Sequence, residues 1–509
     1  MRPERAAEGA PGWGAADGAG ADGGEYEDCT TLKRYATTAG ERRHVALRDV
    51  QVVGVAAAAV LGVWARDPGI GLILGSACGA ATVGGRRREG SVVLVVLLGG
   101  CLGLAGGGRG LQAWHDLTPD ELGPYSGWMR IVDDPQPYVS SIRVIVEIEG
   151  ERFETWSRGR ARSLRVREWR AGEWVAVSGQ RVALDAERAQ RVAWQHVVGE
   201  FEVDWASDVR AGDEIARASN RVRAAIERAA DQLPDADGAL FRGLVVGDDR
   251  DQPRAMIERF RASGLSHLTA VSGQNVAFVL AACGPLLRRL RPWTRWAVTL
   301  ALIAWFVSLT RFEPSIVRAG VMAGLAATAF VTGHERAPVR VLALAVCGLV
   351  VVDPLLVWSV GFWLSVGATA GVSGIGPWLA ERLRRLGVFA LPVAVTLGAQ
   401  IGVVIPSVLV FGRLPLVSVP ANLLAVPVAG AVMLYGMPAG LVAGWCSPIA
   451  GVVMWPARLG TRWVDTVAVL GARFEPDPPM QYWGWGVVAI LVTVVVAADV
   501  RRRGSEAAE

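Results

Sequence analysis

The sequence predicts a polytopic α-helical membrane protein of about twelve crossings, some of them discontinuous, with an inserted extracytoplasmic OB-like β-barrel domain. Three observations predict it. The 509 residues are 52% hydrophobic at a formal net charge of +4, and apolar and charged residues are segregated into blocks, as in a chain that is part lipid-embedded and part water-soluble. Stretches apolar enough to cross a bilayer, which takes about 17–25 helical residues, recur near 50–65, 69–84, 91–107, 268–287, 294–310, 314–332, 339–352, 355–375, 388–405, 417–445, 449–470 and 484–499. Between the third and fourth of these the pattern changes to strict alternation.

Residues 1–48 are rich in Gly, Ala, Asp and Glu and poor in aliphatics, which predicts a disordered cytoplasmic tail and not a cleaved signal peptide. Three transmembrane helices follow over 49–107. In 108–210, SIRVIVEIEGERFETW and GEWVAVSGQRVAL alternate polar with β-branched or aromatic residues, with turns at Gly150, Gly159 and Gly172. That is the signature of an antiparallel β domain of a size suited to an OB-type barrel. Residues 211–263 open with the amphipathic GDEIARASNRVRAAIERAADQL, an interfacial helix or one packed on the barrel. The remaining crossings occupy 264–500, and 501–509 form a second cytoplasmic tail.

Arginine sets the orientation. Arg42, Arg43 and Arg48; Arg86 to Arg88; Arg288, Arg289, Arg291 and Arg295; Arg336 and Arg340; Arg382, Arg384 and Arg385; and Arg501 to Arg503 fall in alternate loops. The positive-inside rule then puts both termini in the cytoplasm of a multi-pass plasma-membrane protein. Tryptophans such as those in YWGW (Tyr482–Trp485) suit the interface. Glycines four residues apart (Gly71, Gly75 and Gly79; Gly320 and Gly324; Gly367 and Gly371; Gly436, Gly440 and Gly444) suit close helix packing. The six cysteines form neither a disulfide framework nor a metal motif, and with no GxxxxGK[ST] loop the chain is expected to hold no metal and no cofactor.

Polar residues within apolar blocks are tolerated only against protein or a wet cavity, so they mark candidate sites. GLSHLTAVSGQNV brings Ser266, His267, Ser272, Gly273 and Asn275 to the start of a crossing, where they serve a pathway or simply cap the helix. In RFEPSIVRAG, Pro314 begins a helix that carries Ser315 and, a turn later, Arg318, an interfacial anchor or an anion contact. DPLLVWSVGFWLSVGAT holds Asp353, a helix initiator, and Ser365. AQIGVVIPSVLVFGRLPLVSVPANLLAVP holds Gln400, Pro406 and Asn422 among repeated prolines, which predict broken helices of the kind that line routes.

Together these four blocks, in this order, resemble the ComEC family of competence proteins. The resemblance covers roughly residues 50–500 and implies that 264–500 is a competence-type transmembrane channel domain importing single-stranded DNA in natural transformation. It also implies a separate DNA receptor, a nuclease and a cytoplasmic helicase-like motor as partners, besides the lipid bilayer. Where the family commonly has a second histidine this chain has Asn275, and the HxHxDH cluster of the family's metallo-β-lactamase-like domain is absent. The chain is therefore expected not to be an enzyme and to degrade no strand.

A strand needs a hydrated passage, because burying an unpaired anion in hydrocarbon costs tens of kcal/mol by the Born estimate. On the β domain, Trp156, Arg158, Arg160, Arg162, Arg165, Arg167 and Trp169 interleave cations for phosphates with rings for bases; the alternative is a wet strand face over a tryptophan core. The rival function is a secondary transporter for a small or lipid-linked solute. An intramembrane enzyme using His267 and Ser272 lacks a residue placed to orient the histidine.

Overall fold

Alternating sequence builds strands in one stretch of the chain and apolar runs build helices in the rest. The computed structural model describes residues 49–82, 89–138, 140–159, 165–269, 273–333 and 337–506, and from Gln51 on they belong to one compact unit. The expected disordered tail, the arginines at 86–88, Arg160, Arg162 and Ser272 lie outside the described residues.

Helices α1 (Asp49–Ala65), α2 (Pro68–Ala81) and α3 (Glu89–His115) come first. Asp67 caps α2 by accepting from the Ile70 amide at 2.8 Å, with Pro68 opening the helix. Helices α2 and α3 touch backbone to backbone, since a methyl on Gly71 or Gly75 would collide with the carbonyl of Gly103 or Gly99. Helix α3 runs to His115, so the β domain begins later than expected.

Six strands follow: β1 (Gly123–Ile131), β2 (Gln136–Pro137), β3 (Ser141–Ile148), β4 (Glu151–Arg158), β5 (Trp174–Ala183) and β6 (Val197–Arg210), with α4 (Ala186–Val192) between the last two. Gly150, Gly159 and Gly172 all take positive φ at turns. The order is β1-β5-β6-β4-β3-β2, with β4 and β6 parallel. The expected closed barrel is corrected to a sheet that is not fully closed. Strands β1 and β3 meet only at Arg130↔Glu147 and Ile131↔Val146, because β2 occupies Arg143 and Ile142 further along β3. Met129, Ile131, Val146, Phe153, Val177 and Phe201 fill the interior, and Trp169 is buried among them.

Next come α5 (Glu214–Ala230), α6 (Asp235–Val246), α7 (Arg254–Ala262) and α8 (Ser266–Thr269). The Asp213 carboxylate caps α5 through the Ala216 amide at 2.7 Å. The bundle continues with α9 (Gly273–Leu287), α10 (Pro292–Leu309), α11 (Pro314–Val331), α12 (Pro338–Val352), a 3₁₀ turn (Pro354–Trp358), α13 (Val360–Ala370), a π turn (Gly371–Ile375) and α14 (Gly376–Arg382). It ends with α15 (Ala390–Phe411), α16 (Ser418–Trp445), α17 (Ser447–Phe474) and α18 (Pro478–Glu506). Helix α5 is wedged in place: Ala216 meets Gly172 of the β domain, while Ala225 and Ile226 meet Gly444 and Gly440 of α16.

Two expectations about the helices change. Among the described residues, four helices are long and apolar enough to cross a membrane (Val93–His115, Pro314–Val331, Arg384–Phe411 and Ser418–Trp445), and four more are apolar but shorter. Twelve such crossings do not emerge. Arg295 and three tryptophans dilute α10, and the Arg458, Arg462 and Asp465 side chains of α17 pair with Asp237 and Arg259. Nor do the prolines break α16, which runs unbroken through Pro427 and Pro438. Each proline removes only one N–H, and a face carrying Gly436, Gly440 and Gly444 holds the helix against α5 and α6. The interruptions lie at the 3₁₀ turn, the π turn and the Gly412–Val417 link, the last at Pro415 within the proline-rich block.

Candidate functional site

Helix α11 starts from a strained turn. Arg311 and Phe312 both have positive φ, 60° and 57°, a conformation that costs about 1–3 kcal/mol per non-glycine residue and persists only where its surroundings impose it. Here they do. The Arg311 guanidinium donates to Asp134 Oδ1 at 3.1 Å and to Asn220 Oδ1 at 2.6 Å. Phe312 is left exposed, and Pro314 then opens α11 with its fixed φ.

One turn into α11, Arg318 points into the bundle and is only 4% exposed. Its Nε donates to Ser365 Oγ at 3.0 Å and its Nη1 to Thr369 Oγ1 at 2.9 Å, with Nη2 also on Ser365 and Met322 Sδ 3.2 Å from Nη1. Ser365 and Thr369 stand four residues apart on α13, hence on one face. Gly273, the first residue of α9, closes the other side: a Cβ there would lie 2.8 Å from that of Ala319 and 3.4 Å from Arg318 Nη2. Three of the four sequence blocks meet at this guanidinium. Among the described residues it forms no ion pair; neutral oxygens and a thioether are its partners.

The other predicted residues are dispersed. Asn275 is buried and donates to the Leu244 carbonyl of α6 at 3.3 Å. Asn422 is also buried, and donates to the Ser418 carbonyl within its own helix at 2.7 Å, which makes it a helix-start brace. Ser266 and His267 are exposed on α8, and Ser315 is half-buried in the first turn of α11. Gln400 and Pro406 lie half-buried on α15, the helix whose Gly398 and Gly402 pack on Gly371 and Gly367 beside α13. Asp353 caps the 3₁₀ turn through the Leu355 amide at 3.0 Å and pairs with His196 Nε2 at 3.2 Å. It edges a cleft of 430 Å³ between α3 and the sheet, where Arg109 donates to the Val352 carbonyl at 3.0 Å.

Arg158 ends β4, while Arg165 and Arg167 are exposed beyond the turn that follows it. Trp169 is a core residue and cannot stack on a base, because its ring fills the sheet interior. Trp156 is half-buried, its ring tilted 57° against that of Tyr138 with centroids 5.0 Å apart and with Arg188 5.3 Å from its ring. Trp128, Trp174 and Trp205 are the exposed indoles, on the outer face of β1, β5 and β6, with Arg210 4.2 Å from the Trp128 ring.

Sequence reasoning missed the ion network that joins sheet and bundle. Asp134, after β1, pairs with Arg223 of α5 at 3.1 Å and with Arg311 at 3.1 Å. Arg250 bridges Asp248 at 2.7 Å and Glu227 at 3.0 Å, and Arg170 holds Glu227 from the sheet side at 2.8 Å. Burial alone would raise the Asp134 pKa, but Arg223 and Arg311 hold it well below the carboxylate range. Beside this network, burial and the neighbouring charge of Asp134 push Asp133 up to about 6. Glu313 reaches the surface, yet the protein packed around it, with Asp133 and Asp249, pushes it up to about 7. One signal was available: Arg223 occupies the apolar stripe of α5, between Ser219 and Ile226.

Residues 244–503, just over half of the chain, match the family model described as "Competence protein". The chain is similar to the uncharacterized protein YcaI of Escherichia coli (strain K12), 24% identical over 202 residues, 37% of this chain and 27% of that protein. It is similar to ComE operon protein 3 of Bacillus subtilis (strain 168), 26% identical over 275 residues, 52% of this chain and 35% of that protein. Competence protein ComA of Neisseria gonorrhoeae is 32% identical over 155 residues, 27% of this chain and 22% of that protein. The matched stretches thus span about a third or less of these curated relatives. No solved structure matches the chain.

Proposed function

We propose, from the premise that this chain belongs to the competence protein family, that it is a multi-pass plasma-membrane protein, both termini cytoplasmic, through which single-stranded DNA enters in natural transformation. One observation carries the reading: Arg318, buried in an apolar bundle, has hydroxyls where a structural arginine has carboxylates. An uncompensated buried charge is costly, and a passing phosphate offers the opposite charge that Ser365 and Thr369 lack. Guanidinium and phosphate match in shape as well as charge, and hydroxyls that release the guanidinium easily suit a conduit, where tight sites stall transport.

Passage requires α11 and α13 to part, since Arg318 is covered in the state described. Helix α13 suits that movement: it is eleven residues long and lies between a 3₁₀ and a π turn, both of which mark hinges or functional sites in other helices. The strand order with its parallel β4–β6 pair and two-residue β1–β3 seam supports an OB-like, partly open domain. Its exposed Trp128, Trp174 and Trp205 offer stacking faces to arriving bases, with Arg210 for phosphate. A separate receptor, nuclease and helicase-like motor complete the route, and this chain itself acts as a conduit and not as an enzyme.

The test is uptake of labelled DNA into a nuclease-resistant compartment of competent cells, comparing the intact gene, a deletion and Arg318→Met. Loss in the deletion and in Arg318→Met supports the conduit. Undiminished uptake in the deletion points to the rival, a secondary transporter.

A further inference from the structure

Helices α9, α10 and α11 enclose a groove of 550 Å³ at one end of the bundle, within the range of ligand pockets, about 300–1,000 Å³. Its walls are apolar: Leu280 and Leu287 on α9, Ala323, Ala326, Ala327 and Val331 on α11. The small alanines leave the space, and a 3.0 Å bond from Trp296 Nε1 to Thr328 Oγ1 ties α10 to α11 beside it. Pro285 has no N–H to return to the preceding turn, which leaves the carbonyl of Ala281, a lining residue, without its helical donor.

The rim is cationic. Arg288 and Arg295 line it, Arg295 lying 5.2 Å from the Phe330 ring. Residues 280–312 contain no Asp or Glu, and among the described residues Arg288, Arg289, Arg291 and Arg295 form no ion pair. The same end of the bundle is the one that the arginine distribution assigns to the cytoplasm, where membranes carry their anionic lipids. Apolar walls below two cations with no ion-pair partner among the described residues fit an amphiphile with an anionic head; a nucleic acid strand would use the rim and leave the walls wasted.

We propose that this groove binds one anionic phospholipid, its phosphate at Arg288 and Arg295 and an acyl chain along Ala323, Ala326 and Ala327. Native mass spectrometry of the full chain in mild detergent tests it, with phosphatidylglycerol and phosphatidylcholine of identical acyl chains. The expected result is phosphatidylglycerol retained about tenfold over phosphatidylcholine, with Arg288→Gln plus Arg295→Gln removing the preference. Ala326→Trp, which fills the groove and leaves both arginines, lowers retention of both lipids, and inorganic phosphate fails to displace them. Equal retention of the two lipids by the unaltered chain overturns the proposal, as does displacement by inorganic phosphate or by a short single-stranded oligonucleotide, or an Ala326→Trp variant that binds as before. Each variant is read only with an unchanged gel-filtration profile. No step depends on DNA uptake, so failure here leaves the conduit reading intact.

Discussion

The buried arginines at the joint between sheet and bundle differ from Arg318 inside the bundle in one respect, the charge of what they touch. Arg223, Arg250 and Arg311 meet Asp134, Asp248 and Glu227, whereas Arg318 meets Ser365, Thr369 and Met322. Both sets are shielded from water, so both incur desolvation. At the joint the opposite charges offset it and fasten two structures together. In the bundle the hydroxyls of Ser365 and Thr369 offset it only in part, no opposite charge facing Arg318 among the described residues, and a cation kept at that cost points to an anion that comes and goes.

Removing Asp134 should have the largest effect on this contrast. Asp134→Ala leaves Arg311 without a carboxylate and Arg223 with only Asp248, 3.8 Å away, and breaking a buried pair in this way costs about 3–5 kcal/mol. Melting temperature in detergent should fall sharply, and uptake with it. Arg318→Met should do the reverse for stability, melting no lower than the unaltered protein while uptake falls by about a hundredfold, equivalent to roughly 2.7 kcal/mol. If Arg318→Met melts as badly as Asp134→Ala, the two arginine sets are alike and the contrast fails. Thr369→Val should be milder, removing the hydroxyl's two hydrogen bonds, from Arg318 and to the Ser365 carbonyl, each worth about 0.5–1.5 kcal/mol, and reducing uptake less than Arg318→Met.

The smallest effect concerns Glu313, at the edge of the joint. Its pKa rises from 4.5 to about 7 on folding, so the folded state holds the proton more tightly than the unfolded chain. The negative charge therefore opposes folding above about pH 7, and that opposition fades as pH falls toward 4.5. Glu313→Gln should raise the melting temperature slightly at about pH 8, with the gain shrinking on acidification. A gain that is constant with pH would mean the carboxylate charge is irrelevant.

Local pattern made much of this legible. Alternation located β3, β4 and β5, positive-φ glycines marked their turns, and an apolar run after Pro314 marked α11 with Arg318 a turn inside it. Pattern misled where a residue type has two uses. Trp169 reads as a stacking ring beside arginines, yet its bulk fills the sheet core. Prolines at 427 and 438 read as breaks, yet α16 absorbs them because its glycine face is clamped. Asn422 reads as a pathway residue, yet its amide is used within its own helix.

From the sequence alone come the division into apolar helices and one β insertion, the cationic end of the bundle and the four polar blocks, because these depend on periodicity and composition along the chain. Tertiary structure alone decided that three of those blocks share one guanidinium, that Asp134 matches Arg223 and Arg311 across 89 and 177 residues, and that the sheet stays partly open. Whether a buried charge fastens or waits depends on the sign of its neighbours, and those neighbours come from segments far apart in the chain.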